Sequence, residues 1–201
     1  MNAAISWPAA LVRFVAGVYL RADLSLPKSS RIYFANHASN LDFVVIWAAL
    51  PEALRARVRP VAAADYWQGP IRGAIARNYF RAVLVARKGI NRENNPLDLM
   101  TAALEQGSDL IIFPEGTRSP DGTLRDFRAG IYHLARRFPA VEMMPVHLEN
   151  LHRILPKGEI LPIPILGRVV FGPCIESLGE GEAKADFLQR ARDAVLRLGG
   201  A

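Results

Sequence analysis

The sequence predicts an α/β fold with a mixed, largely parallel central sheet flanked by helices. Three observations lead there. Short apolar runs alternate along the chain with longer segments of helical periodicity. The run "DLIIF" at 109–113 sets four apolar residues in a row between turn signals, the pattern of a strand buried on both faces. Two polar clusters, "NHASNLD" at 36–42 and "PEGTRS" at 114–119, each follow directly on an apolar run, where open α/β sheets place ligands. With 201 residues, 51% of them apolar and 22% charged, the chain suits one globular domain, and it carries no internal repeat or low-complexity tract.

Each element can be justified in turn. The opening segment, "MNAAISWPAALVRFVAGVYLRA", has an apolar stretch at 5–20 that is shorter than the roughly 20 residues a spanning helix needs, and Arg13 interrupts it. No basic residue precedes that stretch, so a secretion signal is not expected. Trp7, Phe14 and Tyr19 beside Arg13 and Arg21 suit an amphipathic helix, lying in a membrane interface or packed on the domain. Residues 1–28 are therefore read as an N-terminal membrane-associating helix and 29–201 as the main domain.

A turn at 27–30 leads into a strand at 31–35, and 41–50 reads as a helix closed by Pro51. "VRPVAAA" at 58–64 is a second strand, "GPIRGAIARNYF" at 69–80 a basic helix, and "RAVLVAR" at 81–87 a third strand. Asn95-Pro96 starts a helix that Gly107 ends. After the strand at 109–113 come a helix at 127–138 and a strand at 141–148. "LPKGEILPIPIL" at 155–166 is too proline-rich for a central strand and reads as edge or loop. The apolar run 159–171 fits either an acyl channel or membrane contact, or an ordinary core edge. A strand at 167–172 and an amphipathic helix at 182–198 complete the chain.

Charge is concentrated. Between positions 55 and 92 stand nine basic residues against Asp65 alone, a net +8, so the rest of the chain sums to −2 although the whole carries +6. Such a block suits phosphorylated small molecules, anionic headgroups or nucleic acid, or simply a solvated surface. The lone cysteine, Cys174, excludes an intrachain disulfide and a four-cysteine zinc site, and fits a reducing, cytosolic setting.

His37 sits just past a strand end and Asp42 in the first turn of the next helix. A carboxylate on one imidazole nitrogen leaves the other free to take a proton, which makes a general base. The same residues also read as a capping box, Asp42 reaching back to the Ser39 N–H. Taken alone, the cap is the stronger reading. "IIFPEGTRS" at 111–119 changes the balance: Gly116 lets backbone approach a ligand, Thr117 offers a hydroxyl, and Arg118 offers a fork suited to phosphate or carboxylate.

Together these motifs resemble the glycerolipid acyltransferase family that includes 1-acylglycerol-3-phosphate acyltransferases. His37 and Asp42 match its H-x4-D, and 113–119 match its F-P-E-G-T-R-S letter for letter. The likeness runs from about 33 to 175 and includes Arg87, "DFRAG" at 126–130 and Pro145-Val146. It departs at Val85-Ala86, and at Asp65-Tyr66-Trp67, where the family has a Lys-Glu-Leu-like start. The resemblance implies a glycerol-3-phosphate acyltransferase-like fold, with His37 as general base and Asp42 as its orienting partner. Arg87, Glu115, Gly116, Thr117 and Arg118 would bind the acceptor. It implies acyl transfer from acyl-CoA or acyl carrier protein to a lysophospholipid at the cytosolic face of a membrane, peripheral or monotopic, with no metal or cofactor.

Other readings stay open. A thioesterase could use the same pair to activate water, and a noncatalytic lipid-binding protein would not need His37. Nucleic acid is not an expected partner, because no P-loop, zinc spacing or binding motif accompanies the basic block. His133, His147 and His152 show no metal-ligand spacing.

Overall fold

A computed structural model describes residues 19–21, 24–39, 42–67, 69–91, 94–150 and 167–200. Within them lie seven strands: β1 (Tyr19–Arg21), β2 (Arg31–Ala35), β3 (Val58–Ala63), β4 (Val83–Val85), β5 (Asp109–Ile112), β6 (Glu142–Glu149) and β7 (Arg168–Phe171). They form one sheet in the order β1-β7-β6-β2-β5-β3-β4. Five neighbouring pairs are parallel, and β6–β7 is antiparallel, so the sheet is mixed and largely parallel as the sequence implied.

The central strands are buried on both faces, and alternation splits their side chains between two cores. Ile32 and Phe34 of β2 and Leu110 and Ile112 of β5 face one way. There they meet α4 (Pro96–Glu105), α5 (Gly130–Arg137) and α6 (Lys184–Gly199). Tyr33, Ala35 and Ile111 face the other way, toward α1 (Asp42–Ala49) and α2 (Glu52–Arg55). Residues 43–49 of α1 are apolar without a polar stripe, and all but Val44 are buried, as expected of a helix sunk in a core. Each fully buried Ile, Leu or Phe contributes about 1.5–3 kcal/mol, which makes these two layers the bulk of the stabilisation.

Local signals place several boundaries. The Asn95 side chain accepts from the Leu97 N–H, 3.0 Å, and Pro96 opens α4. Gly107 follows that helix at φ 74°, a conformation costly to any residue with a Cβ.

Three expectations change. The N-terminal helix falls mostly outside the described residues, but Tyr19–Arg21 within its span is a strand. It pairs in parallel with the open edge of β7, and pairing to that ladder replaces a helical turn. The basic helix is α3 (Pro70–Ala74), which continues as a π-helical turn, Ile75–Tyr79, closed by Phe80 N–H to Ile75 O at 3.1 Å. Helix α5 begins at Gly130 rather than 127, because the Arg125 and Arg128 N–H groups bond to the loop after β5 instead of to a helical turn. The stretch 155–166 lies outside the described residues.

Candidate active site

β2 and β5 are neighbours, so their carboxyl ends bring the two polar clusters side by side. The Asp42 carboxylate is fully buried, and its Oδ2 takes three bonds. His37 Nδ1 lies 2.7 Å away, the Ala38 N–H donates at 2.7 Å and the Ser39 N–H at 2.9 Å. An oxygen accepting from two backbone donors favours a third donor over a lone pair, so Nδ1 carries the hydrogen and Nε2 presents its lone pair. Cap and dyad are the same oxygen.

The ring is 23% exposed, so its edge is accessible. Phe113 stacks on it with centroids 4.2 Å apart and planes 18° from parallel. The other Asp42 oxygen, Oδ1, is buried without a hydrogen-bond partner among the described residues.

The second cluster holds the first by its backbone. Glu115 Oε1 accepts the His37 N–H at 2.7 Å, and the Ser119 N–H donates to the His37 carbonyl at 2.7 Å. Glu115 Oε2 accepts the Arg125 N–H at 3.1 Å. Burial pushes the Glu115 carboxyl up, against those two backbone donors and the nearby charges of His37 and Arg125. Glu115 was expected to bind acceptor. Its carboxylate is instead buried against backbone and does not line the cavity, so it acts as a brace for His37.

An open cavity of about 850 Å³ fronts His37. Gly116, Thr117, Arg118 and Arg87 line it, together with Lys88 and Arg128. Asp65 is the one acid lining it among the described residues, and it pairs with Arg87 at 2.5 Å. The Arg87 hydrogen bond holds the Asp65 carboxyl below the usual carboxylate range. The wall therefore carries a net positive charge suited to a phosphate. Cys174 contacts Glu142, at the opposite, amino end of β6.

Sequence reasoning missed Asn36 and did not single out Arg128. Asn36 is buried and continues the β2–β6 ladder with its side chain. Its amide donates to Leu148 O and accepts from the Leu148 N–H, both at 2.8 Å. An asparagine directly after an apolar strand was the available signal. Arg128 lies across Gly116, with its Nε donating to Glu115 O at 3.1 Å. At φ 70°, Gly116 leaves no room for a Cβ, which would sit 2.7 Å from that nitrogen.

Comparison with known proteins finds relatives in sequence and in structure. A family model described as Acyltransferase matches residues 18–149. The chain is 30% identical over 165 residues to a 1-acyl-sn-glycerol-3-phosphate acyltransferase of Limnanthes douglasii, covering 77% of this chain and 54% of the relative. A protein of the same description from Limnanthes alba is 31% identical over 147 residues, covering 69% and 48%. The chain thus spans about half the length of these relatives. In structure it is similar to the 1-acyl-sn-glycerophosphate acyltransferase PlsC from Thermotoga maritima, with a TM-score of 0.71 and 19% identity over 96% of this chain and 80% of that one. At that identity the likeness concerns the fold.

Proposed function

The chain belongs to the acyltransferase family, and from that premise we propose that it transfers a fatty acyl group from a thioester to the hydroxyl of a lysophospholipid. We take 1-acylglycerol 3-phosphate as the leading acceptor and acyl-CoA or acyl carrier protein as donor.

One observation carries the reading: Asp42 Oδ2 is shared by His37 Nδ1 and two backbone N–H groups. His37 Nε2 takes the proton of the acceptor hydroxyl as that oxygen attacks the thioester carbonyl. The new C–O bond forms, the tetrahedral oxyanion collapses, and the C–S bond breaks. The imidazolium returns its proton to the departing thiolate, giving an ester and a free thiol. Asp42 stabilises the transient imidazolium without itself exchanging a proton. Arg118, Arg128 and Arg87 support binding of a phosphate, with the acceptor hydroxyl turned toward His37. Balanced this way, the reaction consumes only thioester and hydroxyl and draws on no cofactor.

Among the described residues no helix is long and apolar enough to cross a membrane. The basic block supports the remaining part of the proposal, a peripheral or monotopic placement on the cytosolic face of a membrane carrying anionic headgroups.

The test is acyl transfer from both donor carriers to a panel of lysolipids and glycerol 3-phosphate, with His37→Ala, Arg128→Ala and Glu115→Ala. Turnover in His37→Ala equal to wild type would sink the mechanism. Free fatty acid without acylated lipid would favour a thioesterase. Arg128→Ala is expected to raise KM for phosphate acceptors by about tenfold or more, the loss of one charge-assisted contact.

A further inference from the structure

We propose that the sheet edge formed by α3, its π-helical turn and the Arg81 turn before β4 is a docking surface for an anionic lipid bilayer. The inference deepens the membrane placement proposed above by naming the residues that make the contact.

Two kinds of side chain coincide there. Ile75 and Tyr79, one turn apart, are 43% and 46% exposed, which is unusual for large apolar side chains in a chain that buries most of its others. Tyr79 is backed by Trp47 and Phe80 at centroid distances of 5.4 and 5.0 Å, so it is a supported aromatic rather than a loose one. Arg77 and Arg81 neighbour this pair along the chain and Arg59 is bonded to the Arg81 carbonyl, and none of the three has a carboxylate partner among the described residues.

The two outer arginines crowd each other. Arg59 Nε donates to the Arg81 carbonyl at 2.7 Å, and burial, then the Arg81 charge, push the Arg59 guanidinium down. Arg81 holds φ at 52°, a left-handed backbone that a side chain rarely adopts. Like charges packed together on a strained turn, with no acid to offset them, lose stability in the isolated chain. An anionic surface removes that cost.

The complementarity extends through the sequence. These arginines belong to the 55–92 block of net +8, in a chain whose remainder sums to −2. An exposed apolar and aromatic pair with guanidinium groups nearby is the composition that binds a bilayer interface carrying anionic headgroups. A nucleic acid would engage the arginines but not reward Ile75. Two more large side chains, Ile90 and Tyr66, are 57% and 37% exposed and follow the carboxyl ends of the same two edge strands, and Ile90 lines the cavity.

The full chain is co-sedimented with vesicles of phosphatidylglycerol mixed with phosphatidylcholine, and with phosphatidylcholine alone. Wild type is expected to bind the anionic vesicles. Ile75→Glu with Tyr79→Glu is expected to lower that partition about tenfold or more, and Arg59→Gln with Arg81→Gln to lower it similarly. Ile75→Glu alone carries the apolar arm should the Tyr79 change loosen the packing on Trp47.

Turnover of a short-chain, monomeric lysolipid is expected to stay within about twofold of wild type in all variants, since none of these residues lines the catalytic cavity. That arm reads the catalytic proposal separately: no turnover by any form would sink it and leave the vesicle result standing. Wild-type binding indifferent to phosphatidylglycerol, or variants that sediment like wild type, would overturn the docking surface. So would retention on RNA with no affinity for vesicles.

Discussion

Replacing Asp42 by asparagine separates the charge of this carboxylate from its geometry. In histidine–aspartate couples where the new amide can turn, asparagine offers its NH2 to the ring, forces the wrong tautomer and costs about 10⁴ in rate. Here Oδ2 also accepts the Ala38 and Ser39 N–H groups, at 2.7 and 2.9 Å. A turned amide would set its NH2 against two backbone donors as well as the ring. The unturned orientation leaves the amide NH2 at the Oδ1 position, which has no partner among the described residues, at a cost of about 1–3 kcal/mol. Turning it would orphan two buried backbone donors at a similar cost each, so the oxygen stays facing His37.

What Asp42→Asn removes is therefore mainly charge. A hydrogen bond to a charged group contributes about 1.5–3 kcal/mol and a neutral one about 0.5–1.5, so the bond that steadies the imidazolium weakens by roughly 1–2 kcal/mol. That corresponds to about a 5–30-fold fall in kcat. Asp42→Ala removes the oxygen, leaves both N–H groups without an acceptor at about 2–6 kcal/mol of stability, and frees the ring; kcat should fall about 10³-fold or more. The assay is kcat for acyl transfer at saturating donor, with urea unfolding of each variant alongside. A loss near 10⁴ for asparagine, equal to that of His37→Ala, would refute the idea that backbone locks the tautomer. Wild-type kcat in Asp42→Ala would refute the couple altogether.

Three further perturbations bear on the frame around the site. Gly116→Ala places a Cβ at φ 70° and 2.7 Å from Arg128 Nε; steady-state kinetics should show KM for a phosphate acceptor rising several-fold with kcat little changed, and unfolding a loss of about 1–2 kcal/mol. Asn36→Ala strands the buried Leu148 N–H and carbonyl, a cost of about 2–4 kcal/mol that calorimetry should read as a Tm lower by about 5–15 °C. Burial holds His147 below the usual imidazole range, so its neutral form is favoured in the folded state. Its contribution to stability is complete above the unfolded value of about 6.5 and is lost as pH falls from there through the folded value. The wild-type Tm should drop over that window more steeply than the Tm of His147→Gln, and parallel curves would assign the slope elsewhere.

Elements whose causes are local could be read from sequence, and elements whose causes are distant could not. The strand at β5 and the helix α4 announce themselves in four consecutive apolar residues and in Asn95-Pro96 with Gly107, all within one short window. β1 depends on an open β7 edge some 150 positions away, which no window around Tyr19 contains. The start of α5 shifted because the Arg128 N–H found Pro114 O across the turn, a tertiary contact that outweighs three residues of helical pattern. The site shows the same division. The His37–Asp42 bond could be anticipated because both of its sides lie in one heptapeptide. Glu115 was assigned to the acceptor by its motif, while its partners, the N–H groups of His37 and Arg125, are set by the neighbouring β2 and the returning chain.

Cap and base compete for Asp42 only if one carboxylate serves one purpose. A helix N-terminus gathers donors that need an acceptor, and a catalytic histidine needs an acceptor held still at one nitrogen. Asp42 meets both needs with a single oxygen, so the capping bonds are what immobilise the ring's partner. Glu115 repeats the device one strand over, fixing the His37 backbone while Asp42 fixes its ring. Because β2 and β5 are adjacent and parallel, both carboxylates arrive at the same end of the sheet. It follows that a change which slides β2 against β5 should damage catalysis more than one which weakens either strand alone, since only the first moves His37 off both of its holds.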